Sequence, residues 1–242
     1  MKKISFLFFT ILLSACAIDA TKNEYFEETK LISSLSEKYI GIELNNSYQW
    51  LGIPYAEPPQ GSLRWKAPRA LSNKKEAVRA LKFSDSCPQV PSISLDRGGK
   101  GEYTGSEDCL YLNVFTPKKI SSDKKLPVMF WIHGGGNTSG EAASYDFSKL
   151  ASAHELVIVS INYRLGFLGW FYHPSFAATS NNLEDKSGNF GTLDQIMALK
   201  WVKQNIEDFG GDKNNVTIFG ESAGGHNVFA LLSSPLAKGL FH

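Results

Sequence analysis

Val216-Thr217-Ile218-Phe219-Gly220-Glu221-Ser222-Ala223-Gly224-Gly225 is the stretch that decides how the chain is read. Three β-branched residues and an aromatic favour a short strand over 216–219. From Ser222 to about Leu232 the chain is rich in Ala and Leu and favours a helix. Between them stands G-x-S-x-G. Strand before and helix after is the context of a nucleophile elbow, a sharp turn that lifts a serine hydroxyl clear of a sheet. The glycines two residues to either side let strand and helix pass close together. The helix N-terminus then points at any oxyanion formed there. A serine that only caps a helix would show the same five letters.

Working upstream, Phe209-Gly210-Gly211-Asp212 ends a helical segment over roughly 192–208, whose apolar positions include Leu193, Ile196, Leu199, Val202 and Ile206. Two continuous apolar runs precede it, 128–132 and 156–161. Runs of this kind, separated by helix-length segments, suit strands covered on both faces. Leu110 to Phe115 is another strand candidate, and 39–50 suits short strands before a run of turns at Pro54, Pro58, Pro59 and Gly61. The alternation is that of an α/β fold.

The run 128–132 ends in His133-Gly134-Gly135-Gly136. A glycine run exposes backbone N–H groups that no side chain covers, which suits an oxyanion hole. A donor of that kind is worth about 3–4 kcal/mol in acyl transfer. The alternative is a flexible turn.

The chain has 242 residues, 43% hydrophobic and 20% charged, with a net charge of +1. That supports one domain with a substantial core, and no basic block suggests nucleic acid. The first residues differ in kind. Lys2 and Lys3 precede an apolar run from Ile4 to Leu13, too short to span a bilayer but suited to a signal peptide. Leu13-Ser14-Ala15-Cys16 resembles the bacterial lipobox, in which the cysteine takes lipid after cleavage. The expected organisation is a signal peptide over 1–15, a tether over 16–35 and a folded domain over 36–242. Lipid on Cys16 would anchor the protein to a membrane of the cell envelope. An ordinary secretory signal is the alternative. Export brings Cys87 and Cys109 into an oxidising compartment, where two cysteines suggest one disulfide worth about 3 kcal/mol, free buried thiols being the alternative.

Taken together, these blocks resemble the type B carboxylesterases, the family of the cholinesterases and bacterial nitrobenzyl-esterase-like enzymes. The match is carried by Gly52-Ile53-Pro54-Tyr55-Ala56-Glu57-Pro58-Pro59 with Gly61 and Arg64, by Glu107-Asp108-Cys109-Leu110-Tyr111-Leu112-Asn113-Val114, by Pro127 to Gly140, and by Phe209 through Gly225. It implies the α/β-hydrolase fold, a mostly parallel central sheet flanked by helices. It implies hydrolysis of a small-molecule ester through an acyl-enzyme on Ser222, with Gly135, Gly136 and Ala223 N–H groups as the oxyanion hole. It makes Cys87–Cys109 a disulfide, Arg64–Glu107 a structural salt bridge beside it, and Glu221 a buried neighbour of the nucleophile. No metal or cofactor is called for.

The same resemblance exposes a gap. Family members place the acid and the base histidine well after the nucleophile, whereas 20 residues follow Ser222 here. The chain therefore reads as C-terminally truncated. His226, one turn along the helix, is expected to turn into the packing. His133 belongs beneath the glycine loop, His154 and His173 to ordinary structural or surface positions, and His242 to a mobile end. By the family's topology the strand at 216–219 pairs on its far side with a later strand, so it is expected here as a bare sheet edge. The expectations are an inactive or poorly soluble chain, a two-chain esterase with a complementing C-terminal fragment, or a non-catalytic binding remnant.

Overall fold

A computed structural model describes residues 32–33, 38–72, 76–90, 103–118, 125–178 and 180–242. The signal segment and Cys16 lie outside the described residues. The elements run β1 (Ile32–Ser33), β2 (Lys38–Ile40), β3 (Ile42–Glu43), β4 (Ser47–Pro54), β5 (Val78–Arg79), β6 (Tyr111–Pro117), β7 (Leu126–Ile132), α1 (Ser148–His154), β8 (Val157–Ile161), α2 (Gly166–Gly169), α3 (Pro174–Ala178), α4 (Phe190–Asn205), β9 (Gly211–Gly220) and α5 (Ala223–Ser233). β1, β2 and β5 form a small sheet, and β1 falls within the stretch read as a tether.

The main sheet has the order β3-β4-β6-β8-β7-β9. β8, β7 and β9 are parallel neighbours, while β3–β4, β4–β6 and β6–β8 are antiparallel. β8 is buried at every position, as its apolar run requires, and the one polar residue in it, Ser160, accepts from Asn113 Nδ2 at 3.1 Å. Its Val157, Val159 and Ile161 belong to the larger core, with Leu199, Val202 and Ile206 from the α4 side. Its Ile158 faces the smaller core on the other side, with Phe115, Leu51 and Ala151 of α1. The helix expected over 192–208 is α4 followed by a 3-10 turn, Ile206–Phe209, and Gly210 ends it in the left-handed conformation.

Among the described residues β9 is one of the two edge strands of the main sheet, β3 being the other. The outer edge of β9 is not wholly bare. The backbone N–H of His242 donates to the carbonyl of Val216 at 2.9 Å, and the N–H of Val216 donates to His242 Nδ1 at 3.2 Å. His242, expected to be mobile, is thus held on the strand, since an unpaired edge offers it both a donor and an acceptor.

Parallel register is what assembles the site. Ile132 pairs with Gly220 at the carboxyl ends of β7 and β9, so the chain leaves both strands at one end of the sheet. The glycine loop after β7 and Ser222 after β9 therefore emerge side by side.

Candidate active site

Ser222 has φ 55° and ψ −119°, a left-handed φ that a residue with a side chain adopts only under strain. Such strain costs on the order of 1–3 kcal/mol and persists only where the surroundings enforce it. Here they do. A Cβ on Gly224 would overlap the carbonyl oxygen of Ile132, and one on Gly220 would lie 2.5 Å from the carbonyl carbon of Gly224. Strand, turn and helix touch backbone to backbone. The Ser222 side chain makes no capping hydrogen bond to α5 and is exposed. It is not a helix-capping serine.

The glycine loop lies against this turn. A Cβ on Gly134 would meet Glu221 Oε2 at 2.5 Å and Ser222 Cβ at 3.2 Å. Gly135 and Gly136 follow, both exposed and both with positive φ. The carbonyl of Gly135 turns inward and accepts from the N–H groups of Thr138 and Ser139 at 3.1 and 3.0 Å. Glu221, expected to be buried, is exposed, because the loop covers the turn only from the Gly134 side.

Three side chains directly after β8 support the loop and its surroundings. Asn162 accepts from the N–H of Ala142 at 2.8 Å and donates to the carbonyl of Asp85 at 3.0 Å. The Tyr163 hydroxyl donates to the carbonyl of His133 at 2.6 Å, and its ring stacks on the His133 ring. Burial pushes the Tyr163 phenol up, while a hydrogen bond from Asn227 acts in the opposite sense. Arg164 meets Asp194 of α4 in a bidentate pair, Nε to Oδ2 at 2.8 Å and Nη2 to Oδ1 at 2.7 Å. The two side chains are 3% and 0% exposed. Arg164 Nη1 also donates to the carbonyl of Lys66 at 2.8 Å. Neither this pair nor the work of Asn162 and Tyr163 was foreseen. The available signal was three polar residues at the carboxyl end of a strand buried on both faces.

Cys87 and Cys109 form a disulfide. Two residues on, Gln89 grips the far end of the glycine loop, Nε2 donating to the carbonyl of Gly140 at 3.0 Å and Oε1 accepting from its N–H at 2.8 Å. Arg64 and Glu107 form a two-bond pair at 2.7 and 2.5 Å on the surface near the disulfide.

No imidazole among the described residues hydrogen-bonds the Ser222 hydroxyl. His226, expected to turn into the helix packing, is exposed, and its backbone N–H donates to the carbonyl of Ser222 at 3.1 Å. His154 and His173 are exposed. His133 is buried beneath the loop, Nδ1 at 2.8 Å from the carbonyl of Gly134, which assigns the proton to Nδ1. Burial holds its imidazole down at about 4, against that hydrogen bond, which acts the other way. The unfolded ring titrates near 6.5. Between these values the unfolded chain takes up a proton that the folded chain refuses, so stability is full above pH 6.5 and falls as pH drops toward 4. The expected loss is about 3 kcal/mol, at 1.36 kcal/mol per unit. Urea midpoints across this range should fall less steeply in His133→Gln; equal slopes would show that His133 is not responsible.

A model of the carboxylesterase family matches residues 37–242. The chain is 46% identical over 214 residues to the para-nitrobenzyl esterase of Bacillus subtilis, an alignment covering 88% of this chain and 42% of that protein. It is 39% identical over 250 residues to liver carboxylesterase 1F of Rattus norvegicus, covering 99% and 43%. A solved thermophilic PNB esterase superposes with a TM-score of 0.77 at 46% identity, covering 88% of this chain and 42% of that one. A Geobacillus stearothermophilus carboxylesterase superposes at 0.74 with 37% identity, covering 88% and 43%. The chain thus spans about two fifths of the length of these relatives.

Proposed function

The chain belongs to the carboxylesterase family and carries the α/β-hydrolase fold over the part it spans, and we propose on that premise that it bears the nucleophile of a serine carboxylic-ester hydrolase. The observation that carries the reading is Ser222, held at φ 55° with its hydroxyl uncapped and the glycine loop against its Cβ. Ser222 Oγ attacks the carbonyl carbon of an ester, and the negative oxygen of the tetrahedral species takes hydrogen bonds from the N–H groups of Gly135, Gly136 and Ala223. The alcohol leaves with a proton, and water then releases the carboxylic acid from the acyl-serine. The described residues supply neither a base nor an acid to the hydroxyl.

A second reading has its own observation. Phe229 and Leu232 of α5 are 69% and 60% exposed, beside the edge strand β9. Such a surface suits a further polypeptide segment that completes the site with the base and acid. On either reading the protein is exported and held to the cell envelope by lipid on Cys16.

A fluorophosphonate probe, which reacts with activated serines, tests the proposal. The full chain is treated alone and after co-expression with the remaining three fifths of a relative. Labelling in either state that is abolished in Ser222→Ala is the expected result; label that persists in that variant, or none in either state, overturns the reading. Labelling only on co-expression selects the two-segment form. The N-terminal peptide of the same protein, read by mass spectrometry, is expected to begin at lipid-modified Cys16; an unmodified N-terminus there removes the anchor.

A further inference from the structure

The oxyanion donors assigned above come from two separate elements, Gly135 and Gly136 from the loop after β7 and Ala223 from the first turn of α5. Their spacing must hold to a few tenths of an ångström, because donors help only when aimed at one oxygen. The loop is anchored at its start by Tyr163 on the carbonyl of His133 and at its end by Gln89 on Gly140. Neither anchor belongs to the helix that presents Ser222, although Asn227 of that helix also hydrogen-bonds the Tyr163 hydroxyl.

Asn137, the residue directly after Gly136, has a left-handed φ of 59° and is half-buried. Its backbone carbonyl accepts from the N–H of Gly166 at 2.7 Å. Its side-chain Oδ1 accepts from Asn227 Nδ2 at 2.9 Å, with a longer return contact, Asn137 Nδ2 to Asn227 Oδ1, at 3.5 Å. Asn227 is buried on α5, five residues after Ser222. A buried amide left without partners costs about 1–3 kcal/mol, so the pair resists separation.

We propose, resting on the reading of Ser222 above, that Asn227 is a positioning residue: through Asn137 it sets the distance between the loop donors and the nucleophile helix. The pair joins the two elements by side chains alone, one residue beyond the donors on the loop and within two turns of the nucleophile on the helix. Asn227 acts on the reaction through the loop and not by touching the substrate.

The test is a double-mutant cycle on the full chain with Asn227→Leu, which keeps the number of side-chain heavy atoms and removes the amide, Asn137→Ala, and both together. Hydrogen exchange of amides 134–138 is read by mass spectrometry, a measurement that needs no reaction at Ser222. Each single variant is expected to speed that exchange about tenfold, the double variant no further, with amides of β7 and β8 unchanged. Where the wild-type site labels with fluorophosphonate, its rate is expected to fall about tenfold in each variant, again without addition in the double. Unchanged exchange at 134–138, or effects that simply add, overturns the proposal. Should Asn227→Leu not fold, Asn137→Ala at its half-buried position carries the exchange measurement alone: faster exchange at 134–138 supports the proposal and unchanged exchange overturns it. Absence of wild-type labelling bears on the reading of Ser222, while the exchange cycle still decides Asn227.

Discussion

Replacing Asp194 by alanine is expected to destabilise the chain by about 3–5 kcal/mol, because it leaves the Arg164 guanidinium buried without its counter-charge. The pair is bidentate, and a third bond runs from the Arg164 backbone N–H to Asp194 Oδ2 at 3.0 Å. The surroundings give Arg164 little alternative. It lies over the ring of Phe190 and has one further acceptor, the carbonyl of Lys66. Urea unfolding followed by circular dichroism measures the loss. A buried pair is costly to break yet often replaceable, so Arg164→Met with Asp194→Leu is expected to recover much of the stability. A loss below about 1 kcal/mol in Asp194→Ala would show that water reaches the guanidinium. The effect should reach the site, because Tyr163, the residue next to Arg164, holds the start of the glycine loop.

The second large effect comes from one methyl group at the elbow. Gly224→Ala is expected to cost at least about 3 kcal/mol, the upper end of overpacking, because its Cβ would overlap the carbonyl of Ile132 and press on that of His133. The clash is with backbone, so no rotamer relieves it. Displacing the turn by 1 Å would also misplace Ser222 at a cost of about 10²-fold in rate. Gly225 is the control. A Cβ there meets only the carbonyl oxygen of Gly220 at 3.5 Å, an ordinary contact. Gly225→Ala is therefore expected to stabilise α5 by up to about 1 kcal/mol through helix propensity. Thermal melts of the two variants should move in opposite directions. Parallel shifts would mean that helix propensity, and not the close approach, controls both.

The parts of the site that were legible in the sequence are those written locally. Gly220 to Gly224 states its geometry in five residues, and His133 to Gly136 in four. Both follow strands whose apolar runs are unmistakable, and the structure places the loop against the elbow. Cys87–Cys109 was suggested by the expected export and the cysteine count as well as by resemblance, and Arg64–Glu107 was reached through resemblance alone. The pairs that hold these pieces together were not legible. Arg164 and Asp194 are 30 residues apart, Asn137 and Asn227 are 90, and Asn113 and Ser160, bonded between β6 and β8, are 47. A polar residue inside an apolar stretch has no period to betray its partner, and only the folded sheet brings the two together. Glu221 was misjudged for a related reason. Its neighbours were known, but the side from which the loop covers it depends on where Gly134 lands. His242 was judged as a chain end, whereas what decides its position is the unpaired edge at Val216.

The parallel pairing of β7 with β9 also has a consequence for chain entropy. Between Ile132 and Val157, where β8 begins, lie 24 residues, but 78 separate Ile132 from Gly211, where β9 begins. Loop closure grows with the logarithm of length, so joining β9 to β7 costs about 1 kcal/mol more freedom than joining β8 to β7. It is the longest closure between neighbouring strands of the main sheet. Ser222 therefore stands on the junction that the chain forms at greatest entropic expense. The intervening α4, packed into the larger core through Leu199, Val202 and Ile206 at its end, gives that junction the buried area to offset it.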